Sequence, residues 1–254
     1  MHRFRPGLFL SALLCAVSFA AASACAQSSA APVQIDISGL LNDRVVVTAQ
    51  GGQLQPAQHG LDSTANSALI THSAAAVAGN LTGLPDNGQF SGNDRHPTIQ
   101  LRYARSDGGP QVHRAISRNE SIRVEVPGHR YRRLQLFLIS SHGTTPLEVH
   151  MIYEDGTNGK RNTIAPEFHS AAPSDDPRWF VLASGLSAVA LDGKAAGSGS
   201  GNLFGFDLNP DPTKKLVRVE MVRQDTGSVL TFFGAAGLVA DSGRSSSSSH
   251  RRRR

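Results

Sequence analysis

The chain of 254 residues carries a net charge of +5, but Arg3, Arg5, Arg244 and Arg251 to Arg254 supply seven positive charges, which leaves −2 for everything else. Its basicity therefore belongs to the two ends, and nucleic acid is excluded as the main ligand of the folded part. Both cysteines, Cys15 and Cys25, stand within the first 26 residues, so the remainder has no internal disulfide and must be held by a hydrophobic core, for which its length suits one large domain.

Residues 1–26 read as an export signal: Arg3 and Arg5, then a Leu/Ala/Phe run from residue 8 to 22 that is too short to span a bilayer, then small residues. Two cleavages compete. Ala24-Cys25-Ala26 suits an ordinary signal peptidase, whereas Ala22-Ser23-Ala24-Cys25 is similar to a bacterial lipobox and would acylate Cys25. The expected location is periplasmic, cell-surface or extracellular, with membrane attachment only through that lipid. Residues 27–32 are Ser/Ala/Gln/Pro and read as a short tether.

A β-sandwich is expected over residues 33–240. Residues 33–37 alternate apolar with polar, and residues 44–49 form a β-branched run, which gives the first two strands. Residues 51–80 are broken by Gly51-Gly52 and Pro56, and their alanine-rich part holds no clean helical period, so a long loop with one turn of helix is expected. Strands follow at 98–104 and 121–126, the latter with Ile122, Val124 and Val126 opposing Arg123 and Glu125.

Residues 134–139 are apolar at nearly every position, as in a central strand covered on both faces; residues 147–153 alternate, as in a partner with one wet face. After the Asp155-Gly156 turn, strands are expected at 178–184, 203–208, 216–223 and 229–235. In the third of these, Val217, Val219 and Met221 stand against Arg218, Glu220 and Arg223. About ten short strands without a long amphipathic helix make the class all-β, a single antiparallel sandwich of jelly-roll type. Residues 241–254, a Ser/Arg tail, are expected to be disordered.

Catalytic patterns are weak. Gly197-Ser198-Gly199-Ser200-Gly201 has Gly where a nucleophile elbow needs Ser, and no histidine pair has metal-binding helical spacing. Calcium is the one cofactor the spacing admits, through Asp207, Asn209 and Asp211, yet Pro212 replaces the required Gly and Arg218 the required Glu. Asp86, Asn87, Asn93, Asp94 and Asp107 cluster in loops beside glycines, which turn chemistry explains and which also offers oxygens to calcium or a sugar. No cofactor is expected.

The residues that suggest binding are Trp179, the only tryptophan, with Arg178 before it, and the loop Asp94, Arg95 and His96. An exposed indole stacks on the apolar face of a sugar while flanking charged groups meet its hydroxyls; the plainer alternative is a core aromatic at a strand start. His129 to Arg133 form a basic-aromatic patch in which strand alternation sends Arg130 and Arg132 to one face, a solvated surface or a contact for an acidic ligand.

Gly83-Leu84-Pro85-Asp86, Pro127-Gly128-x-x-Tyr131-x-x-Leu134, Tyr153-x-Asp155-Gly156, Trp179-Phe180 and Phe232-Phe233-Gly234-Ala235 together resemble secreted bacterial jelly-roll modules of the galactose-binding-like and carbohydrate-binding type. The resemblance covers residues 33–240 and implies a non-catalytic module that binds glycans of the cell envelope or exterior. Two other readings stay open: a structural or adhesive surface lipoprotein, and a secreted glycoside hydrolase, which needs two convergent carboxylates.

Overall fold

The structure, a computed structural model, describes residues 32–240 other than 62–66, 80, 106 and 225–226, with the side chains of 195–200 also outside the description. Seven long strands carry the fold: β8 (Ser121–Ser141), β9 (Thr145–Tyr153), β10 (Asn158–Ala165), β11 (Trp179–Val189), β12 (Ala195–Asp207), β13 (Lys215–Arg223) and β14 (Val229–Val239). Before them run the shorter β1 (Pro32–Gln34), β2 (Val46–Gln50), β3 (Gln53–Gln55), β4 (Leu69–Ile70), β5 (Gln89–Phe90), β6 (Ile99–Gln100) and β7 (His113–Ala115). One α-helix, α1 (His72–Ala78), and two 3₁₀ turns, Ser38–Leu40 and Arg102–Ala104, complete the described elements. Among the described residues no helix is long and apolar enough to cross a membrane.

The fold is an all-β sandwich built around β8, which belongs to both sheets. Its first part pairs with β13, followed by β9 and β10; its second part pairs with β14 on one side and β12 on the other, with β11 outside β12 and the short β1 and β7 outside β14. All of these pairings are antiparallel. The strand passes between sheets near Pro127, whose carbonyl accepts the Tyr131 hydroxyl at 2.8 Å. Burial pushes the Tyr131 phenol up to about 12, which keeps that hydroxyl a donor.

The two faces of the second β8 segment explain its composition. Leu134, Leu136 and Leu138 enter the core between the two sheets, with Phe204, Phe206, Phe232, Val149 and Met221. Phe137 and Ile139 enter a second core, with Val46, Leu69, Ile99, Tyr103 and Phe233, beneath a layer formed by the first part of the chain. A strand covered on both sides has no position for water, hence a run apolar but for Gln135, whose Nε2 donates to the Arg95 carbonyl and the Asp207 carboxylate. β9 and β13 keep one wet face, hence their alternation.

The structure departs from the expectations in several places. Residues 121–126 and 134–139 are one strand, because Tyr131 keeps the intervening basic stretch paired. β10 carries no alternation in sequence: it is polar along Asn158 to Asn162, since an edge strand beside the exposed β9 turn has little core to face. Residues 98–104 form only the two-residue β6 and a 3₁₀ turn. Residues 51–80 hold α1 and the small β3 and β4 as well as loop; the Asp86 carboxylate accepts Ser73 N–H and Oγ–H, each at 2.7 Å, in the first turn of α1. Arg223, grouped in sequence with the polar side of β13, is fully buried and donates from Nη2 to the Ser228 carbonyl, because it alternates onto the same face as Val219 and Met221; the bulge instead takes Val217 off that face.

Glycines let aromatic rings lie flat on the second sheet. A Cβ at Gly205 would stand 2.1 Å from Cζ of Phe180, and one at Gly201 the same distance from Phe168. Gly205→Ala should therefore destabilise the protein by about 1–3 kcal/mol through overpacking. Chemical denaturation checks this, and combining it with Phe180→Leu, which removes the clash, should cost less than the two single changes added.

Candidate functional site

The loop of residues 91–98 docks on the start of β11, so the sequence-selected residues Arg95, His96, Arg178 and Trp179 do come together. Asn93 closes the loop: its Oδ1 accepts the N–H groups of Arg95 and His96 at 2.8 and 3.0 Å. His96 Nδ1 lies 2.8 Å from the Pro97 carbonyl and can only donate there, so in the neutral ring Nε2 accepts from Asn93 Nδ2 at 3.0 Å. The buried imidazole stacks on Phe180 at 5.9 Å between centroids, and the Arg95 guanidinium lies 5.2 Å from the same ring while donating to the Pro177 carbonyl at 2.9 Å. Asp94 stays exposed at the loop tip.

Trp179 is not a sugar platform. It is 4% exposed, its ring lies 4.7 Å from that of Phe206, and its Nε1–H donates to Thr163 Oγ1 at 2.9 Å. Both faces and the polar edge of the indole are committed to the core, because β11 enters the second sheet at this residue with its side chain toward the first. Arg178 covers Phe206 at 5.0 Å and forms a bidentate pair with Asp176 at 2.8 and 2.7 Å. The remaining aromatics of the described residues are buried as well. The cluster is a clip that fastens loop 91–98 to the sandwich; Cys25 lies outside the described residues.

The polar cleft stands elsewhere, where β14 loses its outer partner. β1 pairs with Ala236 to Leu238 and β7 with Leu230 to Phe232, which leaves Phe233 and Gly234 between them at a bulge in the β8 pairing. Gly234 has φ of +155°, and a Cβ there would meet Leu101 at 3.0 Å. Over this gap opens a cleft of about 500 Å³ with Ile35, Ile37, Leu101 and Phe233 in its walls. Its polar lining is Gln34, Asp36, Asn87, Gln100, Arg102 and Arg105.

These groups are held by local bonds. Gln34 donates to the Ala235 carbonyl and accepts from Gln100 N–H, both at 3.0 Å, and Gln100 Nε2 donates to the Asn87 carbonyl at 2.5 Å. Asp36 accepts Ser38 N–H at 3.0 Å and pairs with Arg102 at 3.2 Å. The Ser38 amide, with Arg102 adding, holds its carboxyl below the ordinary range, so it is ionised at neutral pH. Arg105 is fixed from behind, its carbonyl taking Arg44 Nη1 at 3.4 Å and its guanidinium gripping Asp107. Sequence reading missed this site because its polar residues are scattered over three distant stretches, 34–36, 87 and 100–105; Gly88 and Gly234, present in or beside the quoted motifs, were the local sign of close backbone approach.

Catalytic groupings are incomplete. Asp36 is the one carboxylate lining the cleft. A smaller cavity of about 230 Å³ is lined by Ser141, His142, Glu167 and His169, but the Ser141 hydroxyl donates to the Leu61 carbonyl. Buried Asp43 orients His59 at 2.8 Å, yet among the described residues no hydroxyl is hydrogen-bonded to that ring. The three oxygens of the calcium-like spacing diverge: Asp207 turns inward to Gln135 Nε2 at 2.7 Å while Asp211 binds Thr213. Among the described residues no group of three or more His, Cys, Asp or Glu is placed to hold a metal ion. No protein-family model matches the chain, and no curated protein matches it.

Two outcomes follow for the clip. Trp179→Ala should cost about 3–5 kcal/mol of stability, and the wild-type emission should be blue-shifted and shielded from quenchers. The Arg178 hydrogen bonds hold the Asp176 carboxyl below its ordinary 3.8; a carboxyl lowered by folding contributes fully above the ordinary range and loses that contribution as pH falls through the lowered value. Asp176→Asn should therefore destabilise at pH 7 and converge with wild type in strong acid, as read from denaturation midpoints across pH.

Proposed function

We propose that this chain is an exported, non-catalytic binding module and that a hydroxyl-rich ligand, a glycan of the cell envelope or exterior, occupies the cleft over Gly234. The observation that carries the reading is the lining itself. Short amide, carboxylate and guanidinium groups converge on an apolar floor, in a volume within the usual range for small-ligand sites. Such groups supply both donors and acceptors, as a polyol requires. Recognition here rests on hydrogen bonding, since Trp179 and the other described aromatics are packed inside.

The lone carboxylate favours binding over glycosidic cleavage, which uses two carboxyl groups about 5–10 Å apart. Export is carried by the residues 1–26 pattern, and attachment through Cys25 remains the alternative of a surface lipoprotein.

A broad glycan panel tests the proposal. At least one oligosaccharide family should bind, and Arg102→Ala, which removes an exposed donor from the cleft, should weaken it about tenfold, the worth of one charged hydrogen bond, without lowering the melting temperature. Absence of binding across the panel, or binding indifferent to Arg102, would overturn it.

A further inference from the structure

We infer that the end of the sandwich around the middle of β8 docks on an anionic lipid surface. The register brings three features to one place. Arg133 of β8 is opposite Leu238 of β14, which is opposite Pro32 of β1, so the first described residue lies two strand spacings, about 10 Å, from Arg133. Ala240, the last described residue, donates its N–H to the Arg130 carbonyl at 2.7 Å. Both ends of the folded domain thus leave beside the basic stretch of β8.

That stretch is cationic. Arg130 and Arg132 are exposed, Arg130 donates to the Thr213 carbonyl at 2.9 Å, and among the described residues neither is in an ion pair with a carboxylate. Arg133 donates to the Arg95 carbonyl at 2.7 Å, which brings the half-exposed Arg95 side chain alongside. Against these four guanidinium groups stand Asp207, buried 3.5 Å from Arg95 and 3.8 Å from Arg133, and the loop residue Asp94. The neighbouring Lys215 is already paired with Glu154. The sequence that continues from Ala240 contains Arg244 and Arg251 to Arg254.

A fixed basic patch with a basic continuation next to it fits a planar array of negative headgroups, to which each Arg near the surface adds an increment that falls off within a Debye length. Pro32 leaves the domain beside the patch, so a lipid on Cys25 would supply the second of the two signals that stable membrane attachment needs. The inference does not depend on what the cleft binds.

Co-sedimentation of the unacylated chain from Gln27 to Arg254 with phosphatidylglycerol–phosphatidylcholine vesicles tests it. Binding should be strong at low salt, absent on pure phosphatidylcholine, and about thirtyfold weaker for Arg130→Gln with Arg132→Gln, from two lost surface charges. A second full-length variant with Arg251 to Arg254 changed to Ser should weaken binding further when combined with the first. Equal binding to neutral vesicles, binding unaffected by the Arg130 and Arg132 changes, or binding to soluble polyphosphate but not to acidic vesicles would each overturn the inference. Unchanged melting temperature of the first variant shows that the readout is charge and not folding.

Discussion

The structure depends on one strand being covered on both faces. From Leu134 to Ile139, β8 sends alternate side chains into two different cores, one against the first sheet and one against the layer built from residues before β7. Because neither face meets water, that segment fixes its neighbours: β14 and β12 must flank it, and the described part of residues 45–112 must close over its outer face. The ordering of so many short, irregular elements in that outer layer follows from burial of Phe137, Ile139 and Phe233 and not from any helical or strand propensity of their own.

The cleft is a consequence of the same constraint. An outer layer made of short pieces cannot pair continuously with β14, and between β1 and β7 the strand is left uncovered at Phe233 and Gly234. The elements that roof this gap are the ends of β1 and β6 and the short turns beside them, which present amide and charged side chains at fixed angles. Polar groups of the first layer therefore converge on an apolar floor supplied by the sheet, which is the arrangement a hydroxyl-rich ligand uses. At the opposite end of the pairing, β8 must leave one sheet for the other, and the Pro127 to Arg133 segment that makes the crossing has its buried Tyr131 flanked by arginines that stay in solvent.

Strands that face a core on alternate residues, such as β9, and the segment of β8 that faces one on every residue, were legible in sequence because their pattern is imposed by water. β10 was not, since an edge strand satisfies its neighbour through backbone bonds and leaves its side chains free to be polar. Arg223 was misassigned because its charge outweighed its place in the alternation with Val219 and Met221, and Val217 because a bulged residue leaves its face and a bulge carries no composition. Trp179 was legible as a landmark but not in its direction: the same residue at the same strand start serves as platform or core depending on which face the incoming strand turns inward. The loop 91–98 was found, yet it fastens and does not receive. The cleft escaped detection because its side chains come from distant turns, each satisfied locally by an ordinary bond such as Ser38 to Asp36, and only the fold brings them together.

The most direct measurement of the central claim is the map of backbone amide shifts when an oligosaccharide selected from the panel is titrated into the isotope-labelled protein. The account predicts that the largest shifts fall on Asp36, Gln100, Leu101, Arg102 and Gly234, with Arg95, His96 and Phe180 unmoved. Shifts centred on the Asp94 to His96 loop and the start of β11, with the Gly234 cleft silent, would contradict it.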